Sequence, residues 1–333
     1  MPNLPKPPRL RRVPRGRGPE AGLGSTEPDA PQIEVVEHDG LRWVSIERMR
    51  QAERAWLEEH FPFHPLDFED VQSRNQRPKV DEYDEYLFVV LHFPAYDKQI
   101  GRLNAVELDL FIGPDYVVTL PNRSIQPLDY LFERVRGDDE VREQLFNQGA
   151  GYLLYRIVDG CVDASFPMLG KLGNKLERLE DDIFEGRGKE VVRDISNAKQ
   201  EIINFRKVVR PQRSALRDLE RTKRYLPEDL DIYFDDINDA SERIWDTLEN
   251  YKEVVEGLED TNESVLSHEL NDVLRILTAF SAVLLPLTLV ASIFGMNVQV
   301  PGEESLTAFW VVIVGMVVLG VALLAYFRRR KWL

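Results

Sequence analysis

The spacing of apolar residues changes twice along this chain, and each change marks a different kind of structure. Between residues 33 and 120 they come in short runs rich in β-branched and aromatic side chains, at 33–36, 41–46, 87–93, 106–112 and 116–120, with helical stretches such as 48–59 between them. That alternation predicts a small α/β domain with a mostly β centre. After Gln126 the β signal ends and spacing by threes and fours takes over, with breaks near residues 186–188 and at Leu226 and Pro227. From Pro227 the helical pattern continues to Gly295, interrupted only by the tolerable Gly257 and Pro286, so one helix of roughly 100 Å is expected at about 1.5 Å per residue. Within it Ile237, Ile244, Leu248, Tyr251, Val255, Leu258 and Val265 step by threes and fours, which predicts a seam packed on a neighbouring helix.

Two uncharged runs, 276–294 and 306–327, close the chain. Each has the ~20 apolar residues that a helix needs to cross a hydrocarbon core of roughly 30 Å, so both are expected to span a membrane. Arg275 precedes the first run, and Arg328, Arg329, Arg330 and Lys331 follow the second, whereas the connecting loop has Glu303 and Glu304 and no Lys or Arg. This asymmetry predicts both termini cytoplasmic, and the expected location is the cell (inner) membrane, crossed more than once. Residues 1–31 are rich in Pro and Arg and lack an apolar stretch, so a disordered tail is expected rather than a signal peptide. Its six bases, Lys6, Arg9, Arg11, Arg12, Arg15 and Arg17, suit either free solvent or contact with anionic lipid. The expected organisation is a tail (1–31), a cytoplasmic α/β and helical domain (32–226), a stalk helix continuing into the first span (227–294), an outer loop (295–307), a second span (308–327) and a basic tail (328–333).

Charge narrows the function. With 57 acidic and 42 basic residues among 333, the net charge is −15. A general nucleic-acid binder needs a basic footprint and is excluded, whereas an acidic protein attracts cations. The single cysteine, Cys161, excludes an internal disulfide and a Cys-cluster zinc site and suits a reducing compartment. The chain has no Gly-rich phosphate loop, no HExxH and no nucleophile elbow, so no enzymatic activity is expected. His60 and His64 are four apart, but Pro62 breaks the helix that would align them. Between Pro227 and Glu263 stand fourteen Asp or Glu against two bases, Arg243 and Lys252. Seven of the acids, Glu242, Asp246, Glu249, Glu253, Glu256, Asp260 and Glu263, form one stripe, either a solvated face or a field that concentrates divalent cations below the membrane.

The first span is two-faced. Its polar residues, Thr278, Ser281, Thr288 and Ser292, share a side with Leu274 and Leu285, extended below by Asn271 and above by Gly295. The other side carries Ile276, Phe280, Val283, Leu287, Val290 and Phe294, and the second span has no polar side chain between Ala308 and Tyr326. Small polar residues either let helices pack closely in lipid or line a water-filled path, and periodicity does not choose between them. Two helices cannot enclose a hole, so a path requires several copies around one axis. The stalk seam is the expected means of gathering them.

At the top of the stripe stands Gly295-Met296-Asn297, after Phe294 and before a short acidic loop. With the hairpin, the second span and the ending Arg328-Arg329-Arg330-Lys331-Trp332-Leu333, this resembles the CorA family of magnesium transporters, whose signature is Gly-Met-Asn at the outer end of the first of two C-terminal spans. The soluble part is similar as well, in Phe63-His64-Pro65-Leu66-Asp67-Phe68-Glu69-Asp70, Gln76-Arg77-Pro78-Lys79-Val80 and Tyr152-Leu153-Leu154-Tyr155-Arg156-Ile157-Val158-Asp159. The likeness leaves out only the Pro/Arg tail.

The resemblance implies a funnel-shaped homopentameric channel for Mg²⁺, with Co²⁺ and Ni²⁺ as further cargo, the first span lining the pore and Mg²⁺ also acting as regulator. It implies that Asn297, with Gly295 and Met296, forms the selectivity filter, and that Thr288, Leu285, Leu277, Leu274 and Asn271 face the pore below it, on the side that also carries Ser281 and Thr278. Asp260 corresponds to an acid near the cytoplasmic mouth. Asp70 and Asp236 correspond to a pair that clamps a regulatory Mg²⁺ between adjacent subunits, and Glu69 and Asp159 to positions linked with a second regulatory ion. Two departures stand out: the outer loop reads Val300-Pro301-Gly302-Glu303 where the family has Met-Pro-Glu-Leu, leaving Glu303 as the acid, and Phe294 replaces a Tyr.

These residue types suit the ion. Mg²⁺ gives up its water reluctantly and prefers octahedral geometry, so a ring of Asn297 amides can hold the hydrated ion without trapping it, as a carboxylate ring would. Leu277 and Leu285 suit a gate that closes by dewetting. Carboxylates from neighbouring subunits repel until a divalent ion lies between them, which implies closure when cytosolic Mg²⁺ is high. The sequence fits two rivals as well: a zinc-transporting relative with the same signature, and a membrane-anchored Mg²⁺ sensor that conducts nothing.

Overall fold

The structure is a computed structural model that describes residues 30–73, 76–97, 102–222, 225, 231–296, 305–330 and 332. Strands β1 (Glu34–His38) and β2 (Leu41–Ser45) form a hairpin whose two turn residues, Asp39 and Gly40, have φ of 48° and 85°. An Asp-Gly pair suits this turn because both positions must be left-handed. Helices α1 (Gln51–His60) and α2 (Pro65–Ser73) follow, and then β3 (Lys79–Glu82), β4 (Leu87–Asp97), β5 (Arg102–Ile112) and β6 (Tyr116–Pro121). The sheet order is β1-β2-β6-β5-β4-β3. All neighbours are antiparallel except β2 and β6, which run parallel with Arg42 opposite Tyr116 and Ser45 opposite Thr119.

Both faces of the sheet are covered, which explains why β4 reads as an unbroken apolar run rather than an alternation. Leu87, Val89, Leu91, Leu108, Leu110, Ile112 and Trp43 face one way, into a core shared with α3 (Gln126–Gly137), α4 (Asp139–Phe146), α5 (Gly149–Asp163), α7 (Gly188–Thr222) and the start of α8 (Asp231–Phe294). Phe88, Val90, Phe111, Val118 and Leu120 face the other way, under α1 and α2. Fully burying each of these side chains contributes about 1.5–3 kcal/mol. Glu53 fastens α1 to this layer: the buried carboxylate accepts from the backbone N–H of Gln32 (2.8 Å) and Arg50 (2.9 Å) and from the Arg50 guanidinium.

Helix α6 (Ser165–Phe184) and α7 form an antiparallel pair that turns at Gly186, φ 84°. Their apolar stripes, with Leu172, Leu176, Leu179 and Ile183 on α6 and Val191, Ile195 and Ile202 on α7, close on Val255 and Leu258 of α8. Approach is close at Gly173, where a Cβ would stand 2.5 Å from the Tyr251 hydroxyl, and at Gly188, where it would stand 2.6 Å from the Asn262 amide oxygen.

The helix expected to continue into the membrane is α8, 64 residues and therefore about 96 Å long. Its seam corrects an expectation. Ile237, Ile244 and Leu248 are buried in the main core and Val255 and Leu258 against α6 and α7, with Tyr251 and Val265 packed alongside. The seam is thus consumed within the chain, and its periodicity gives no means of gathering copies. The acidic stripe is likewise only partly a free face. Glu242 pairs with Arg213 and Arg217 of α7, Glu249 with Arg206, and the neighbouring Glu259 with Lys199. Asp246, Glu253, Asp260 and Glu263 stay exposed.

Candidate ion path and metal-binding carboxylates

The upper part of α8 and the whole of α9 (Leu306–Arg329) are long and apolar enough to cross a membrane. Only 11% of the most apolar stretch of α8 and 6% of that of α9 is buried within the chain, so neither stretch packs as a core element of this chain. Arg275, paired with Asp272 at 3.3 Å, precedes the apolar segment of α8, and Arg328 and Arg329 end α9.

The two helices pack on one side of α8. Ala279 and Val283 are buried, and Leu287 lies against Gly320 of α9, where an added Cβ would stand 3.5 Å from the Leu287 Cδ1. At about 100° per residue these positions point nearly half a turn away from Thr278, Ser281, Leu285 and Thr288. The hydroxyl-bearing side is therefore the one that α9 leaves bare. On it Leu274, Leu277 and Leu285 are all more than half exposed, and Asn271 is exposed one turn below Leu274. The hydroxyls are not idle: Thr278 donates to the Leu274 carbonyl (2.7 Å), Ser281 to Leu277 (2.9 Å) and Thr288 to Leu284 (2.8 Å). Each donor is satisfied inside the helix, which lets it sit in an apolar stretch, while the oxygen keeps a lone pair for water or a hydrated ion. Gly295 and Met296 end the helix in a turn. Asn297 and Glu303 lie outside the described residues, as do residues 1–29 of the N-terminal Pro/Arg tail.

Two carboxylate groups occupy the soluble part. In the first, Asp67, Asp70 and Asp81 offer oxygens all within 4.8 Å of one another. Asp67, on α2, is buried, and its two oxygens accept from the hydroxyls of Tyr83 (2.8 Å) and Tyr86 (2.6 Å). Burial pushes its pKa up against the pull of those hydroxyls. Asp70, half-buried on the same helix, accepts from Gln76 Nε2 (3.0 Å) and from Lys79 Nζ (2.7 Å), and that ammonium also reaches Asp81 (2.5 Å). Burial works against the Lys79 charge, yet the two carboxylates hold its pKa above the usual lysine value. Glu69 is exposed beside Asp70.

The second group lies where α5 meets the start of α8. Asp159 is half-buried and paired with Arg156 at 3.0 Å. Burial first, and then the like charges of Asp163 and Asp236, raise its pKa above the ordinary aspartate value, with Arg156 opposing. Asp236 is exposed. Asp159 and Asp236 are thus neighbours within one chain, while Asp70 belongs with Asp67 and Asp81; Asp236 is not a member of that three-carboxylate group. Asp260 is exposed on the stalk and adds its charge to those acting on Lys199.

Sequence reading missed Lys79, Asp81 and Asp163 as parts of these groups. The segment Gln76-Arg77-Pro78-Lys79 carries the family likeness, but its sequence assigns Lys79 no partner. Only the fold brings β3 beside α2, and nothing in the local pattern pairs Lys79 with an aspartate nine residues earlier.

Comparison with known proteins agrees with this architecture. A family model described as CorA-like Mg²⁺ transporter protein matches residues 38–329. The cobalt/magnesium transport protein CorA of Thermotoga maritima is 32% identical over 294 residues, covering 87% of this chain and 83% of that protein. The zinc transport protein ZntB of Yersinia enterocolitica is 22% identical, covering 94% and 93%. Among solved structures, the CorA magnesium transporter of Methanocaldococcus jannaschii superimposes with a TM-score of 0.79 at 22% identity, over 90% of this chain and 94% of that one.

Proposed function

Because the chain belongs to the CorA-like Mg²⁺ transporter family, we propose that it carries Mg²⁺ across the cell (inner) membrane through a path formed by identical copies in a funnel-shaped homopentamer, both termini in the cytoplasm. The observation behind this reading is the bare hydroxyl side of α8: α9 covers the opposite side, so Thr278, Ser281 and Thr288 are left for a partner that is wet. In this proposal Asn271, Leu274, Leu277, Leu285 and Thr288 face the axis, Asn297 with Gly295 and Met296 meets the still-hydrated ion, and Glu303 attracts it from outside. Asp260 lies near the inner mouth.

Regulation in this reading rests on the separation of the two carboxylate groups. Asp70 on one subunit and Asp236 on the next would share a Mg²⁺, with Glu69 and Asp159 near a second ion, so that occupied sites hold the copies together and closed. Asp159 supports this: burial first, and then the like charges of Asp163 and Asp236, raise its pKa, and a cation bound there would relieve that repulsion. Co²⁺ and Ni²⁺ would share the path.

Zinc transport is the second reading, and similarity to a zinc transport protein over nearly the whole chain favours it. The higher identity to a cobalt/magnesium transport protein supports Mg²⁺ as the first reading. Uptake of Mg²⁺, Co²⁺ and Zn²⁺ into proteoliposomes, measured metal by metal alongside the mass of the particle, tests the proposal. Mg²⁺ uptake by a five-copy particle, lost on Asn297→Ala, is the expected result. Uptake of Zn²⁺ alone would move the assignment to zinc, and a particle that passes no ion would leave only a sensor.

A further inference from the structure

Lys79 sits on the carboxylate that the regulatory ion is proposed to use. Its Nζ is 2.7 Å from Asp70 Oδ2 and 2.5 Å from Asp81 Oδ2, while Asp70 Oδ1 is taken by Gln76 at 3.0 Å. Both oxygens of Asp70 therefore have a donor from their own chain. Asp67 offers no alternative, being buried with both oxygens capped by tyrosine hydroxyls. Asp70 and Lys79 are 26% and 31% exposed in their side chains, open enough for a solvated ion to approach and for the lysine to move. The lysine backbone is fixed, because it opens β3 opposite Val90 of β4. Its four-carbon stem is not, and its ammonium stands 5.2 Å above the centre of the Phe88 ring.

Resting on the reading of Asp70 as a ligand of the regulatory ion, we propose that Lys79 is a tethered competitor for that ion and that Asp81 is the carboxylate to which it withdraws. A divalent ion that keeps its water needs free lone pairs on Asp70, and an ammonium in contact both occupies a lone pair and repels the ion. When the ion arrives, Lys79 gives up Asp70 and keeps Asp81, so the ammonium is never left without a partner. The ion's apparent affinity is lowered by the fraction of time that Lys79 spends on Asp70. The lysine thereby sets the Mg²⁺ concentration at which the site fills, and hence the level at which transport would be shut off.

The test uses the full-length protein and the Mg²⁺ concentration that gives half-maximal protection from protease. Lys79→Met is expected to lower that midpoint by roughly tenfold, and Lys79→Arg to leave it within about twofold. Lys79→Gln, a second uncharged variant, shifts it the same way should the methionine protein fold poorly. Lys175→Met, which removes a similar charge from the pair with Glu201 on α6 and α7, leaves it unchanged. In an Asp70→Ala background the Lys79→Met effect disappears. A midpoint unchanged or raised by both uncharged variants, while Asp70→Ala alone shifts it, overturns the competitor and gives Lys79 a merely positioning role. A midpoint indifferent to Asp70→Ala removes Asp70 from the site, and the competitor with it.

Discussion

Gly320 of the second span is buried against Leu287 of the first, with 3.5 Å between the Leu287 Cδ1 and the place a Cβ would take. That distance is ordinary van der Waals contact, so alanine fits, but a branched or longer side chain must push α9 away from α8. Gly320→Ala is expected to leave the melting temperature of the detergent-solubilised protein nearly unchanged. Gly320→Leu should cost about 1–3 kcal/mol through overpacking. Equal melting temperatures for the two variants would place the spans further apart than described.

Buried Glu53 gives a prediction in pH. Burial works against its charge, but the Arg50 guanidinium and the N–H groups of Gln32 and Arg50 win, holding its pKa at about 2 against an ordinary value of 4.5. A depressed carboxylate pKa stabilises the fold above the ordinary value, and that stability is lost as pH falls from 4.5 towards 2. Glu53→Ala should therefore destabilise the protein at pH 7 by about 3 kcal/mol, the scale of breaking a buried pair. The deficit relative to the unsubstituted protein should shrink as pH falls below 4.5, which thermal melts across that range would reveal.

Asp159 has the opposite sign. Its pKa is raised by burial and by the like charges of Asp163 and Asp236, so the folded state holds the proton more tightly and pays a penalty at neutral pH. Asp159→Asn is expected to raise the melting temperature at pH 7 in a chelator, and the gain should vanish as pH falls to the ordinary aspartate value of 3.8. The lost pair with the partly exposed Arg156 subtracts little. A variant less stable than its parent at pH 7 would mean that the Arg156 pair outweighs the like-charge repulsion.

Much of the fold was legible because it rests on local spacing. The runs at 87–93 and 106–112 became β4 and β5, and the unbroken helical pattern after Pro227 became α8, Asp231–Phe294. Strand β3 was not legible: Lys79-Val80-Asp81-Glu82 has one apolar residue and is a strand only because it pairs along β4. The parallel pairing of β2 with β6 was equally hidden, since it joins segments more than seventy residues apart. The stalk seam shows a deeper limit. Periodicity said that Ile244, Leu248 and Val255 are buried, but the same pattern results whether the neighbour is another copy or, as found, the chain's own main core for Ile244 and Leu248 and α6 and α7 for Val255. Glu242 and Glu249 looked like a solvated stripe because their arginine partners come from α7. In the first span, by contrast, sequence alone divided the two faces correctly; only the packing of α9 showed which face is left bare.

Water access to that bare face is the most direct test of an ion path. The background is silent, because Cys161 is buried and burial pushes its thiol up to about 12. Single cysteines at Thr278, Ser281, Leu285 and Thr288, and at Ile276, Val283 and Leu287, would be exposed in proteoliposomes to a small charged thiol reagent that does not enter hydrocarbon. A path along the hydroxyl side predicts reaction at the first four positions, slowed by Mg²⁺, and none at the last three. Reaction at neither set, or equal reaction at both, would contradict a wet axis lined by α8.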